Sequence, residues 1–352
     1  MKNTVLISAP RYYGIDTDIQ EAFETLGFRA LLINQLPLSI VERIPNKIGN
    51  KLPFLKPVFN SFLKYFVTRE NNKLLAAMYQ EKPDLLFVIK GDYIFPENLA
   101  KIKKEFSCPA VGYVWDEPFY KAESNQDDYR KYNFKNGIHL YDYIFTFDTF
   151  YMDEITKQGA KKVQYLPLAT NSTRYKEVPV TVQERLQYDH DVCFIGMPAD
   201  NRVEIFENLC NYKLGVFGDY WPGYFIRRGL KIPSYYRGKA TGETVNKIYL
   251  SSKIALNINQ AQSKEGLNTR TFDIPACGAF EIVDYKKNVE AHFKIDEEIV
   301  TFNNIDELKN KIDYYLKNDE LRKSISVRGK QKVLSEHTWV HRVQEVLKTL
   351  SI

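Results

Sequence analysis

The densest concentration of reactive side chains lies in Glu265-Gly266-Leu267-Asn268-Thr269-Arg270-Thr271-Phe272-Asp273, where two carboxylates and a guanidinium share a short glycine-containing run. An apolar stretch over 254–258 reads as a strand ahead of it, and a helix is expected to begin near Asp273. A loop feeding a helix N-terminus offers free backbone N–H groups and the positive end of a dipole, which suits a diphosphate. Arg270 adds a permanent cation with a fork of donors. Helix capping by Glu265 and Asp273, with Arg270 as a solvated surface residue, explains the same residues. Spacing alone leaves both readings open.

Other reactive side chains point to less. His337 and His341 stand four apart beside Glu336, but no third ligand is near in sequence, so packing or capping accounts for them better than a metal. Cys108, Cys193, Cys210 and Cys277 are far apart with no Cys-x-x-Cys pair, which argues against structural zinc or a disulfide framework and for reduced thiols. The net charge of +5 and an aromatic content of 14% without Arg-interleaved repeats give no nucleic-acid signature.

The elements that must position these residues read as two successive α/β series. Residues 4–9 form a strand pattern, followed by a helix with Ile19, Ala22, Phe23 and Leu26 on one face, a stop at Gly27 and a strand over 31–33. Further buried strands are expected at 84–89, 110–115 and 143–147. Pro167 to Tyr175 interrupts the pattern, and a second series follows with strands at 191–195, 214–217, 254–258 and 279–283. The expected domains are 1–170, 171–330 and a terminal helical segment 331–352. Open α/β sheets bind ligands at the carboxyl ends of their strands, so the ligand is expected in a central cleft between the two. No run of about 18 to 20 apolar residues suggests a membrane span, and no secretory leader is visible, so a cytoplasmic protein is expected. Within 39–73, seven basic residues (Arg43, Lys47, Lys51, Lys56, Lys64, Arg69, Lys73) face two acidic ones (Glu42, Glu70). Leu55, Val58, Phe59, Phe62 and Phe66 recur there at helical spacing, a pattern that fits either an anionic membrane surface or a helical pair packed on its own domain.

Glu265-Gly266, Asp273 with seven residues between the two acids, and Ala276-Cys277-Gly278 resemble the Glu-Gly…Glu-Ala-x-Ala-Cys-Gly signature of the group 1 glycosyltransferases. KIALNINQ…GLNTRTFDIPACGAFEIVDY followed by EHTWVHRVQEVL resembles more closely the spore-maturation CgeB-type branch of that group. The resemblance spans roughly 191–350; over the N-terminal half it is mainly topological. It implies the GT-B fold, two Rossmann-like domains with a C-terminal helix returning to the first, and transfer of a sugar from a nucleotide-diphosphate donor, a UDP-sugar, without any other cofactor. Glu265 would accept hydrogen bonds from the donor sugar and Asp273 from the ribose hydroxyls. The backbone of Gly266 to Asn268 would approach sugar and phosphates, with the absent Cβ of Gly266 permitting contact. Arg270 would offset charge building on the leaving diphosphate. Group 1 enzymes carry a Gly-Arg…Lys phosphate element after the first strand of this domain. Here Gly196 and Arg202 hold the Gly and Lys places, Met197 stands where the Arg is expected, and Arg270 is expected to supply the missing charge. The nucleobase is expected near the Arg237 to Gly242 loop, with Gly238 in it; Tyr220 and Trp221 are neighbours of that loop or core aromatics.

The resemblance also implies metal-independent chemistry, and the sequence carries no Asp-x-Asp at a strand end. Inversion at the anomeric carbon would need a general base from the first domain. Asp16 in the loop after the first strand, Asp116 with Glu117 in Val-Trp-Asp-Glu-Pro, and Asp92 are the candidates, each equally explained alone as a cap or solvated turn. A saccharide or lipid-linked saccharide is the expected acceptor, in cell-surface polysaccharide or glycoconjugate synthesis. The alternatives are a non-catalytic sugar-nucleotide or polysaccharide-binding protein on the same scaffold, and a sugar-nucleotide epimerase.

Overall fold

The computed structural model describes residues 3–10, 14–35, 56–119 and 129–352. The chain divides into two compact units, Met1–Pro167 with Trp339–Ile352, and Leu168–Thr338.

The first unit is built on β1 (Thr4–Ala9), β2 (Arg29–Asn34), β3 (Leu85–Ile89), β4 (Ala110–Val114), β5 (Tyr143–Thr146) and β6 (Val163–Tyr165). Its helices are α1 (Ile15–Thr25), α2 (Lys56–Glu81), α3 (Pro96–Glu105), α4 (Tyr129–Gly137) and α5 (Met152–Lys157). The sheet runs β2-β1-β3-β4-β5-β6 with every pair parallel. Its central strands read as continuous apolar runs and are buried throughout, because helices cover both faces of a parallel sheet. β6 was not anticipated: three half-buried residues at an edge give no apolar run to read. α1 buries Ile19, Ala22 and Phe23 as its periodicity predicts, and Gly27 follows it at φ +89. The basic segment is only partly visible, since 39–55 and the side chains of Lys56, Phe59 and Phe62 lie outside the described residues. Of its apolar stripe, Val58 is 50% exposed and Phe66 is half-buried beneath the Arg69 guanidinium. α2 instead turns Val67, Asn71, Leu74 and Met78 inward, and Asn71 fixes the backbone of Tyr93 and Phe95.

The second unit contains β7 (Val192–Ile195), β8 (Leu214–Phe217), β9 (Tyr236–Gly238), β10 (Ile254–Asn257), β11 (Glu281–Asp284) and β12 (Val300–Phe302). Its helices are α6 (Val182–Gln187), α7 (Asp200–Asn208), α8 (Trp221–Ile226), α9 (Glu243–Ser251), α10 (Arg270–Ala276), α11 (Ile305–Leu316) and α12 (Asp319–Glu336). The order β12-β11-β10-β7-β8-β9, all parallel, is the doubly wound order that reverses between β7 and β10. Alternation along β7 splits the core into two layers. Val192 and Phe194 meet Phe206, Trp221 and Phe280 on one face, while Cys193 and Ile195 meet Ile248, Tyr249 and Ile274 on the other.

After α12 the chain returns to the first unit as α13 (Trp339–Leu350), which packs along α1. Trp339 meets the Tyr113 ring edge-on at 6.3 Å, and the buried Arg342 donates from Nε to the Pro167 carbonyl at 3.0 Å. His337 lies outside a helix, as the cap of α12, so His337 and His341 do not share a helical face. Its ring packs against Phe272 and Phe293, which is a packing role.

Candidate functional site

The reversal point of the second sheet gathers most of the anticipated residues at the carboxyl ends of β7 and β10. Gly196 follows β7 and must be glycine. A Cβ there would lie 2.7 Å from the Phe194 ring, and Gly218, at φ +141, comes so close that its own Cβ would meet the Gly196 carbonyl. That carbonyl accepts from Trp221 Nε1 at 2.8 Å, which makes Trp221 a fully buried core residue, whereas Tyr220 is 47% exposed. Arg202, in the first turn of α7, donates from Nη1 to the Met197 carbonyl at 2.8 Å and from Nη2 to the Ile258 carbonyl. It therefore clamps the turn after β7 to the end of β10. Burial pulls its pKa down to about 10; Asp284 opposes that shift and Arg270 adds to it, so the two guanidinia feel each other's charge.

The loop carrying Glu265 and Gly266 is held by amides. Asn257 and Asn268 exchange hydrogen bonds at 2.9 and 3.2 Å, and the Asn268 N–H donates to Asn259 Oδ1 at 3.0 Å. Asn259 in turn donates to Asp284, and Asn257 to Glu281 Oε1 at 2.8 Å. Asn268 is thus a builder of the loop, with its N–H already engaged. The N–H groups of Thr271, Phe272 and Asp273 are likewise bonded within the first turn of α10, so the expected free helix terminus is largely satisfied and the guanidinium is the principal positive group here. Glu281 is buried, with Oε2 lacking a partner among the described residues, and burial drives its carboxyl far above the ordinary glutamate value. Sequence reasoning passed over Asn257, Asn259, Glu281 and Asp284. The signal was present in two asparagines at alternate positions ending an apolar run.

Arg270 opens α10, earlier than expected, which puts Asp273 in the first turn rather than at the start. Arg270 Nη1 donates to Tyr175 Oη at 3.0 Å and to Asp273 Oδ2 at 3.2 Å. The other Asp273 oxygen accepts from Thr170 Oγ1 at 2.8 Å, and the residue is 3% exposed. Thr170 is itself fixed where its N–H meets the His337 carbonyl at 3.1 Å. Arg270 keeps 29% of its side chain accessible. Glu265 is 26% accessible in its side chain and sits 3.4 Å from Lys287 Nζ. Gly238 ends the edge strand β9 at φ +113, its carbonyl accepting from Gly218 N–H at 2.9 Å.

In the first unit, Asp16 lies within the first turn of α1, not in a loop, and is 1% exposed. Asp92 follows β3 and is also buried. Asp116, just past β4, forms an ion pair with Lys90, a residue held at φ +67, and keeps 18% of its side chain accessible. Asp148, not singled out from sequence, is fully buried and caps the turn at Thr149–Tyr151 through the Phe150 N–H. Among the described residues no group of three His, Cys, Asp or Glu side chains could hold a metal ion, and no helix is long and apolar enough to cross a membrane.

This arrangement is a doubly wound α/β unit with two arginines in the first turns of the helices that follow β7 and β10, and comparison with known proteins gives its fold. A family described as glycosyl transferase-like matches residues 202–348. The chain is 24% identical to the spore protein CgeB of Bacillus subtilis (strain 168) over 302 residues, 80% of this chain and 87% of that protein. Sucrose-phosphate synthase from Thermosynechococcus elongatus superposes with a TM-score of 0.67 at 10% identity, over 99% of both chains. The Anabaena protein HepE, solved in complex with UDP-glucose, superposes with a TM-score of 0.64 at 10% identity, also over 99% of both chains. The fold is GT-B, with two six-stranded parallel α/β sheets, and the resemblance to group 1 glycosyltransferases and their CgeB-like branch read from the two motifs is borne out.

Proposed function

We propose that the chain is a glycosyltransferase whose second unit holds a nucleoside-diphosphate sugar, a UDP-sugar, and passes the sugar to a saccharide or lipid-linked saccharide. The observation that carries this reading is the placement of two arginines in the first turns of the helices that follow β7 and β10, Arg202 clamped to the Met197 and Ile258 carbonyls and Arg270 opening α10, inside the segment that matches the family. The partly accessible Arg270 guanidinium offers forked donors to a diphosphate, and the charge of both arginines stabilises the leaving group without a bound metal. That HepE was solved with UDP-glucose supports uridine as the base.

Arg270 is the principal cation in this mechanism. Arg202, whose donors are largely spent on carbonyls, sets the shape of the Gly196 turn and adds field. Glu265, accessible beside Lys287, accepts hydrogen bonds from the donor sugar, and the backbone at Gly266 and Gly238 bounds the sugar and the base. Asp273, its two oxygens accepting from Thr170 and Arg270, anchors Arg270 in place. If the reaction inverts, Asp116 is the better base than Asp16, since a carboxylate that is 1% exposed has no path to an acceptor hydroxyl. The basic segment 39–73 serves a lipid-linked acceptor by resting on an anionic membrane.

The experiment is a melting-temperature screen with UDP, GDP and ADP, followed by a donor-hydrolysis screen with the stabilising nucleotide. UDP at about one hundred times its Kd should stabilise by roughly 2.7 kcal/mol, which raises Tm by several degrees. Failure of every nucleoside diphosphate to raise Tm would refute the reading.

A further inference from the structure

We infer that the tip formed by residues 226–232 of the second unit is a docking surface for an anionic lipid bilayer. Between Asp219 and Glu243 the sequence holds Arg227, Arg228, Lys231, Arg237 and Lys239 and no acid. α8 turns Trp221, Tyr224 and Phe225 into the core, and the chain then leaves it with every residue of 226–232 exposed. Ile226 is 66% exposed, Leu230 53% and Ile232 44%. The tip is held in place. Tyr224 and Arg228 both bind Asp200, the first residue of α7, and the Arg228 guanidinium lies 3.8 Å over the Tyr224 ring. Gly229, at φ +69, makes the turn that presents Leu230.

Scattered exposed aliphatics are ordinary, but three within seven residues, ringed by cations of one sign, are not. Asp200 and Asp219 pair with Arg228 and Lys239, while Arg227, Lys231 and Arg237 form no ion pair among the described residues. The cations call for a negative surface and the aliphatics for an apolar one. An anionic bilayer supplies both, headgroup outside and acyl chain beneath. The placement also has a consequence for the proposed reaction. Asp200 anchors the tip and Arg202 reaches the strand ends from the same turn of α7, so a docked tip brings the donor site to the surface where a lipid-linked acceptor resides. Lipid binding itself does not depend on that reading, and it is separate from the segment 39–73.

The test is flotation of the full chain with phosphatidylcholine vesicles, with and without phosphatidylglycerol. The native chain should float only with the anionic vesicles. Arg227→Gln with Lys231→Gln should weaken partitioning about five-fold per charge removed, roughly thirty-fold together. Ile226→Ser with Leu230→Ser should also weaken it, and Leu230→Trp should gain a blue-shifted emission on anionic vesicles alone. Unchanged near-UV circular dichroism and melting temperature establish that each variant is folded. Absence of native binding, or equal binding by native chain and both double variants, overturns the assignment. So does a dimer in solution that Ile226→Ser with Leu230→Ser dissolves while vesicle binding persists, because the tip would then be a contact between copies.

Discussion

Removal of the Arg270 guanidinium should have two separable effects. Its Nη1 lies 3.2 Å from Asp273 Oδ2, and the Asp273 side chain is 4% accessible, so Arg270→Ala leaves a buried carboxylate that keeps its hydrogen bond from Thr170 but loses its guanidinium. Breaking a buried pair costs about 3–5 kcal/mol. Because Arg270 keeps 29% of its side chain accessible, water recovers part of that loss, and about 2–3 kcal/mol is expected. For a unit of this size the melting temperature falls by roughly 4–12 °C. Asp273→Asn keeps an acceptor for Thr170 and removes the charge, so Arg270→Ala with Asp273→Asn should regain most of the lost stability. Nucleotide affinity should behave differently. Loss of a charge-assisted hydrogen bond to phosphate weakens UDP binding by about 1.5–3 kcal/mol, roughly ten- to hundred-fold, in both Arg270→Ala and the double variant. Differential scanning calorimetry reads the first effect and titration calorimetry with UDP the second. Recovery of affinity in the double variant would refute the phosphate role, since Arg270 would then serve only to neutralise Asp273. If Asp273→Asn alone loses as much affinity as Arg270→Ala at unchanged Tm, Asp273 contacts the ribose directly.

Glu281 gives a pH signature. Its carboxyl stays protonated in the folded chain well above the ordinary value of 4.5, while the unfolded chain ionises near that value. Its contribution to stability is therefore full below about pH 4.5 and is lost progressively as pH rises toward the folded pKa. Glu281→Gln, neutral and of the same shape, should raise Tm more at about pH 8 than at about pH 5, and an equal change at both would show that the carboxyl is not held protonated. Transfer or donor hydrolysis should survive EDTA, because the two arginines supply the charge that a divalent ion supplies elsewhere; loss with EDTA and rescue by magnesium or manganese would reverse this.

Much of the fold was legible because parallel strands covered on both faces are continuous apolar runs. The segments read at 4–9 and 214–217 match β1 and β8 to the residue, and several others differ by one or two at an end. β6, β9 and β12 were missed, each only three residues long. Periodicity has nothing to act on at that length. The placement of Asp16 failed for a related reason. Helix starts are set by local hydrogen bonds, and α1 begins directly after Gly14 without a side-chain cap to announce it.

By itself the sequence determined the α/β class, the two series of strands, and the acids, glycine and arginine of the 265–273 run, since residue type and order are local properties. Tertiary structure alone decided what those groups do to one another. Thr170 and Asp273 stand 103 residues apart, and Arg270 and Tyr175 stand 95 apart, yet each pair shares a hydrogen bond. The buried carboxylate of Asp273, the clamp made by Arg202 across two strands and the raised pKa of Glu281 all depend on which distant groups replace water around a charge. That replacement occurs only when the chain folds.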